Sequence, residues 1–358
     1  MNSTSTNRLM EPNSASAMQS VARRCPACGN VAQGEVLERS YGAGLYACSG
    51  CDLQFWYPVK MPGAAWYEAT YQGRDTAAMA LEPGHIYFLG DPHAPKTGTL
   101  LDLGCGNGNF LAAARDAGFE VSGVEPDQRA TQFARDHYGV KNVFAGVPKD
   151  FVREHPNETF DVVTFFEVLE HQEDPQTFLE IAKSLLEANG CIALSVPNRN
   201  RWQTGIDTLD YPPNHLTRWS PKALRSFLER NELEVLSIRT QPLTVQRVAQ
   251  MLSGLFTTGM LSRVAREKPP TLAEFSDMPT DTIQQKLVRL RDDPRQGLAA
   301  RLAVWKLRVL TPLAFFLLPL LRLRGLTGPY LYCLVRKRPQ GSVALTGREN
   351  EAGRKEIA

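Results

Sequence analysis

Residues 100–110 read LLDLGCGNGNF, from Leu100 to Phe110. An apolar run ends in an aspartate, and three glycines follow at alternate positions: Asp102-x-Gly104-x-Gly106-x-Gly108. The next stretch, FLAAARDAGF, carries apolar residues at helical spacing and stops at Gly118. A strand, a glycine loop and a helix in that order let a ligand approach bare backbone. Two common ligands do not fit the details. A phosphate-binding P-loop ends in Gly-Lys-Ser/Thr, which is absent. The dinucleotide fingerprint G-x-G-x-x-G places its third glycine three residues after the second, whereas here it comes two after.

The same alternation continues outward. EVSGVEPD (120–127) reads as a strand with an acidic end and QRATQFARDHYG (128–139) as a helix. VKNVFAGVP (140–148) and TFDVVTFFEVLEHQEDP (159–175) follow. PQTFLEIAKSLLEANG (175–190) is expected as a helix and CIALSVPN (191–198) as a strand. SPKALRSFLERNEL (220–233) reads as a helix capped by Ser220 with proline in its first turn, and EVLSIRTQ (234–241) as a strand. Apolar, β-branched strands alternating with helices predict a doubly wound α/β domain, with a parallel sheet covered on both faces.

An acidic residue followed by G-x-G-x-G at the end of a first strand resembles the first motif of the class I S-adenosylmethionine-dependent methyltransferases. The resemblance runs from about Thr99 to Arg239 and implies a Rossmann-like seven-stranded sheet. It implies that the backbone of Gly104, Cys105, Gly106 and Gly108, with Asp102 nearby, receives the methionine part of S-adenosylmethionine. Glu125 ends the next strand, 17 residues after Gly108, and is expected with Pro126 at the ribose hydroxyls. Its plainer reading is a solvent-facing glutamate at a strand end. By resemblance FAGVP (144–148) borders the adenine ring through Gly146 and Val147. Phe165 and Glu167 fall at the carboxyl end of the fourth strand, where ligands of open α/β sheets bind.

Seven cysteines are present, and four of them form two close pairs, Cys25-x2-Cys28 and Cys48-x2-Cys51, with 19 residues between the pairs. That is zinc-site spacing. Two CxxC turns bring four thiolates onto one ion, with no open position, so a structural zinc is expected. A segment this short has few core residues and is expected to need such a staple. The first 22 residues are polar and carry no apolar core, so no export signal is read there and reduced thiols in the cytoplasm are expected.

Hydrophobic residues make up 43% and charged residues 22%, which suits a globular protein with a substantial core. A net charge of +2, and a cysteine segment without a dense basic patch, argue against nucleic acid as a partner. The organisation expected is a disordered tail 1–22, a zinc-ribbon-like unit 23–60 and a linker or helical cap 61–98. The methyltransferase core follows at 99–242, then a helical insertion 243–325, the last strand 326–340 and a disordered tail 341–358.

Methyl transfer to a hydroxyl needs a group to take the proton, and histidine is the usual choice. His171, in LEHQ, and His215, in YPPNHLTRWSP, fall near the carboxyl ends of strands and are the catalytic candidates. Either one can equally be a packing residue. Tyr67, Tyr71 and Tyr211 are candidates for the acceptor pocket, or for packing.

YACSGCDLQFW and WYEATYQG resemble segments of bacterial sugar and polysaccharide-pathway methyltransferases. The sugar C-methyltransferases among them have a long C-terminal domain that this chain lacks, so O-methylation fits ahead of C-methylation. The ubiquinone-pathway O-methyltransferases share the fold motifs without the cysteine unit. The implied acceptor is a small molecule or saccharide: a sugar nucleotide, a glycan or a lipid-linked intermediate. RNA methylation and a non-catalytic cofactor-binding role are the alternatives.

VLTPLAFFLLPLL (309–321) is too short to span a bilayer and contains Pro312 and Pro319. It reads as a buried helix or, with Trp305, Arg308, Arg322 and Arg324 around it, as a peripheral membrane contact through 305–324 at the inner face.

Overall fold

The computed structural model describes residues 23–32, 34–40, 42–58, 80–202, 206, 210–261 and 294–338; at 254–261 and 294–308 it describes the backbone alone. The two tails, Tyr67 and Tyr71, the centre of the insertion, and the side chains of Trp305 and Arg308 therefore lie outside the described residues.

The strands are β1 (Glu38–Ser40), β2 (Ala43–Ala47), β3 (Gln54–Tyr57), β4 (Gly98–Leu103), β5 (Phe119–Glu125), β6 (Val143–Ala145), β7 (Phe160–Phe166), β8 (Leu186–Pro197), β9 (Thr217–Arg218), β10 (Leu233–Pro242) and β11 (Thr327–Lys337). Seven of them form one sheet in the order β10-β11-β8-β7-β4-β5-β6. β4 pairs in parallel with β5 and β7, and β7 with β8. β11 runs antiparallel to both β8 and β10. The expected all-parallel sheet is therefore mixed. The insertion returns the chain to the sheet in the opposite sense, and β11 slots between β8 and β10 instead of adding at an edge.

The helices are α1 (Pro83–Leu89), α2 (Asn109–Asp116), α3 (Gln128–Tyr138), α4 (Pro148–Glu154), α5 (Pro175–Ser184), α6 (Pro221–Arg230), α7 (Val245–Leu261) and α8 (Pro294–Leu323). Their starts follow local chemistry. Asp127 accepts from Arg129 N, Asp174 from Thr177 N and Ser220 from Ala223 N, while Pro175 and Pro221 open their helices. α5 ends at Ser184, six residues before the Gly190 expected from sequence. Leu186 is buried and already pairs with Phe160, so the chain is extended there. A Cβ on Gly190 would meet the Asp161 carbonyl at 2.9 Å, which shows how closely the two strands run.

The sheet is covered on both faces. One face carries Phe88, Phe110, Leu111, Phe119 and Tyr332. The other carries Phe165, Leu179, Ile192, Leu224 and Phe227. Each such side chain contributes about 1.5–3 kcal/mol on burial. Cys25, Cys48, Cys51, Leu53 and Phe55 belong to this second core. The cysteine segment is thus not an isolated unit with a core of its own. Its strands continue into the rest of the chain as a four-stranded sheet, β1-β2-β3-β9.

α7 and α8 pack through Leu243, Val248, Ala249 and Ala314, with Leu310, Leu318 and Leu321 half-buried beside them. Pro312 and Pro319 lie inside α8, which is continuous through both. Each removes one N–H donor, and the packing on α7 on either side holds the flanking turns. The outer side of α8 exposes Phe315, Phe316, Leu320 and Leu323. No helix among the described residues is long and apolar enough to cross a membrane.

Candidate active site

The glycine loop joins β4 to α2 beside the carboxyl end of β5. All three of its glycines have positive φ: 85° at Gly104, 52° at Gly106 and 81° at Gly108. They do different work. A Cβ on Gly106 would meet nothing within 4 Å, so this is where a ligand can lie on the backbone. A Cβ on Gly108 would meet the Ala134 Cβ at 2.7 Å, so Gly108 serves the contact between α2 and α3. A Cβ on Gly104 would meet Val168 Cγ2 at 2.7 Å, which sets the loop directly against the turn after β7.

Asp102 is 3% exposed and accepts from Thr164 Oγ1 at 2.6 Å across to β7. Burial pushes its carboxyl up to about 7, against the Thr164 bond and with the Glu125 charge adding to the rise. It braces the loop from beneath. Cys105 turns its side chain into the core, where its Sγ would lie 2.6 Å from a Cβ on Gly123, so only its backbone faces the loop. Glu125 Oε2 accepts from Gly106 N at 3.0 Å and Oε1 from Asp127 N at 2.9 Å. The acidic end of β5 is therefore at the loop. Pro126 is exposed just beyond it. Gly146 N donates to Glu125 O at 3.0 Å, and Val147 is 44% exposed, so this pair lies at the same sheet end.

Phe165 departs from expectation. Its ring is fully buried against Phe178 at 5.1 Å, on the core side of the sheet, so only its backbone reaches the strand end. Phe166 points the other way, against Phe110 and His85 at 5.0 and 4.9 Å. Glu167 has φ 55° and accepts from Ser195 Oγ at 2.8 Å. Burial, then the charge of Glu82, raises its carboxyl to about 8.

Next to this turn the structure gathers a second group. Glu170 is fully buried and neither carboxylate oxygen accepts a hydrogen bond, and burial holds it well above the usual carboxylate range. His171 Nε2 and His215 Nε2 lie 3.8 and 3.9 Å from Glu170 Oε1, and the two rings are 5.0 Å apart. The two candidate histidines thus meet, although they stand 44 positions apart in the chain. They differ in setting. His171 Nδ1 lies 2.6 Å from the Asn214 carbonyl, and burial, with the His215 charge adding, lowers it to about 3. His215 Nδ1 lies 3.2 Å from Asp210 Oδ1. Burial alone would raise Asp210. The His215 bond and the charges of Arg201 and Arg218 reverse this and hold it well below the usual range. Arg201 Nη2 donates to Asp210 Oδ2 at 2.7 Å and Arg218 Nε at 3.1 Å.

Asp210, Arg201 and Arg218 were not singled out from sequence, nor were Glu82 and His85. His85 is buried, lowered to about 4 by burial, and stacked on Phe110 at 4.7 Å. Asp210 stands five residues before His215, which is the one signal a sequence reading had. Tyr211 packs its ring on Trp56 at 5.4 Å, the packing alternative of its two readings.

The four sulfurs of Cys25, Cys28, Cys48 and Cys51 lie within 4.8 Å of one another, with Cys25–Cys51 at 3.5 Å and Cys28–Cys48 at 3.4 Å. Tetrahedral Zn–S bonds of about 2.3 Å put sulfurs about 3.8 Å apart, so the set fits a closed four-thiolate site.

Residues 75–238 match the family model described as "Methyltransferase domain". A ubiquinone biosynthesis O-methyltransferase of Thiobacillus denitrificans is 36% identical over 115 residues, 31% of this chain and 49% of that protein. The enzyme of the same name from Xanthomonas campestris is 28% identical over 199 residues, 52% of this chain and 79% of that one. The chain thus spans about half the length of the Thiobacillus relative. A solved S-adenosylmethionine-dependent methyltransferase from Thiobacillus denitrificans, in complex with S-adenosyl-L-homocysteine, aligns at TM-score 0.42 and 15% identity over 78% of this chain and 100% of that one. With the family match, the strand order and the glycine loop in its place, residues 75–238 carry a methyltransferase domain with the fold of the S-adenosylmethionine-dependent methyltransferases.

Proposed function

We propose that the protein transfers the methyl group of S-adenosylmethionine to a hydroxyl oxygen of a small-molecule acceptor, with His215 taking the hydroxyl proton. The observation that carries this is the contact of Gly104 with Val168. It sets the glycine loop directly against the turn that leads to Glu170, His171 and the Asp210–His215 pair.

Bound S-adenosylmethionine supplies an electrophilic methyl on a sulfonium, which departs as a neutral thioether. The backbone around Gly106 takes the amino-acid arm, Glu125 with Pro126 takes the ribose, and Gly146 and Val147 border the base. Glu167, beside Ser195, lines the strand end between cofactor and acceptor. His215 accepts the proton as the acceptor oxygen forms its bond to carbon, and Asp210 stabilises the imidazolium. Holding acceptor and methyl in line, away from water, supplies the rest. Burial holds the His171 ring neutral down to about pH 3.

Oxygen is favoured as the acceptor atom by the ubiquinone-pathway relatives. A saccharide acceptor rests on the cysteine segment's resemblance to sugar-pathway enzymes. Zinc is proposed for the four thiols, checked by the metal content of the full chain against a Cys51→Ser variant. The exposed apolar side of α8, near Arg324, supports peripheral membrane contact. Loss of flotation with anionic liposomes in Phe316→Glu would support it, and no flotation of the parent would sink it. The function is tested by release of S-adenosylhomocysteine with sugar nucleotides and phenolic acceptors. Acceptor-dependent release is expected, and none with any hydroxyl acceptor would overturn the reading.

A further inference from the structure

His215 and Asp210 are held in place from outside the methyltransferase domain. β3 leaves the Cys48–Cys51 turn and grips residues 199–220 at alternate positions. Asp52 accepts from Arg199 Nη2 at 2.8 Å and from Ser220 Oγ. Gln54 Oε1 accepts from Arg218 Nη1 at 2.6 Å. Trp56 is fully buried and its Nε1 donates to the Asp210 carbonyl at 2.9 Å. β3 and β9 pair with Gln54 opposite Arg218 and Phe55 opposite Thr217.

We infer that the four-cysteine unit positions the proton acceptor: Gln54 and Trp56, on β3, aim Asp210 at His215, Gln54 acting through Arg218 and Trp56 on the Asp210 backbone. The inference rests on the reading of His215 as the base. Burial of this strand is already supplied by Leu53, Phe55 and Trp56, all fully buried. An acceptor at position 54 adds little to that. What it does is fix the roll of a guanidinium whose Nε faces Asp210. Arg218 is a buried cation with planar, directional donors, so tying Nη1 to Gln54 leaves Nε one direction. Both arginines then occupy Asp210 Oδ2, and Oδ1 is left to His215 Nδ1. That bond puts the proton on Nδ1 and the lone pair on Nε2, the tautomer a base needs. The backbone end of Asp210 is held by the Trp56 indole, so both ends of the orienting residue depend on one strand. That strand starts three residues after Cys51.

The test uses the full-length ¹⁵N-labelled protein and the hydrogen-bonded Nδ1 proton of His215, assigned by its disappearance in His215→Gln. Gln54→Leu keeps the size and removes the acceptor, and Gln54→Glu restores an acceptor for Arg218. The parent should show the resonance at low field, Gln54→Leu should lose it or move it upfield, and Gln54→Glu should regain it. Affinity for S-adenosylhomocysteine, measured by calorimetry, should stay within about twofold in all three. With an acceptor, kcat of Gln54→Leu should fall about tenfold, at unchanged KM for S-adenosylmethionine. An unaltered resonance and kcat in Gln54→Leu would overturn the inference. So would parallel losses of cofactor affinity and thermal stability in both variants, because those mark a merely structural role. If the parent releases no S-adenosylhomocysteine with any acceptor, the methyl-transfer reading fails by itself, and the resonance still decides whether the strand positions His215.

Discussion

The two ends of the proposed site are built on different principles. The proposed cofactor end lies within residues 102–147 and is mostly backbone: a loop of positive-φ glycines with one acidic side chain beside it. The proposed acceptor end is mostly side chains, drawn from Glu167–His171, Arg201, Asp210–Arg218 and, across the second sheet, Gln54 and Trp56. A backbone site needs room and a fold that repeats. A side-chain site needs each group held by another, which is why Asp210 is held by two arginines and one of those by Gln54. Damage at one end should therefore change affinity, and damage at the other should change turnover.

The largest effect is expected at the acceptor end. His215→Ala should lower kcat by about 10³-fold, within the range for losing a general base, with the affinity for S-adenosylhomocysteine unchanged. A fall in affinity to match would mean that the two ends are not separate. Next comes Gly106→Ala. It places a Cβ where a ligand is expected to lie, and affinity for S-adenosylhomocysteine should drop by about 10–100-fold while stability changes by about 1 kcal/mol. Gly108→Ala should behave oppositely, because its Cβ meets Ala134 at 2.7 Å. About 2–3 kcal/mol of stability should go, with affinity kept in the folded fraction. Equal losses of affinity in the two variants, by calorimetry, would erase the distinction drawn between these glycines.

The smallest effect concerns Asp102. Its folded carboxyl stands at about 7, above the ordinary value of 3.8, so the neutral form is favoured on folding. The resulting stability is fully present below about pH 4 and is lost as pH rises through about 7. Asp102→Asn, which is neutral at every pH, should flatten that part of the curve of melting temperature against pH. An unchanged slope would show that Asp102 is ionised in the folded protein.

The difference between the two ends also decides what could be read from the chain. The glycine loop, the acidic end of β5 and the Ser220 cap are local patterns, and each stands at the element end where the sequence pattern sets it. The four cysteines were legible for the same reason. Asp210, Arg201 and Arg218 were not, because a buried ion pair follows no periodicity and its partners lie far apart in the chain. His171 and His215 were found as residue types near strand ends, but their meeting at Glu170 is a product of the fold. The α5 boundary failed because LLEAN continues a helical pattern that pairing with β7 overrides. The cysteine segment was read as a module, since nothing in its sequence announces that β3 pairs with Thr217–Arg218.

The central claim is that residues 102–147 form a site for the methionine and adenosine parts of a sulfonium cofactor. Titrating the full-length protein with S-adenosylhomocysteine in a calorimeter tests it most directly. Binding of one equivalent, with a dissociation constant of roughly micromolar order, is the predicted result. No heat at high protein concentration, from a sample shown to be folded by its thermal transition, would contradict it.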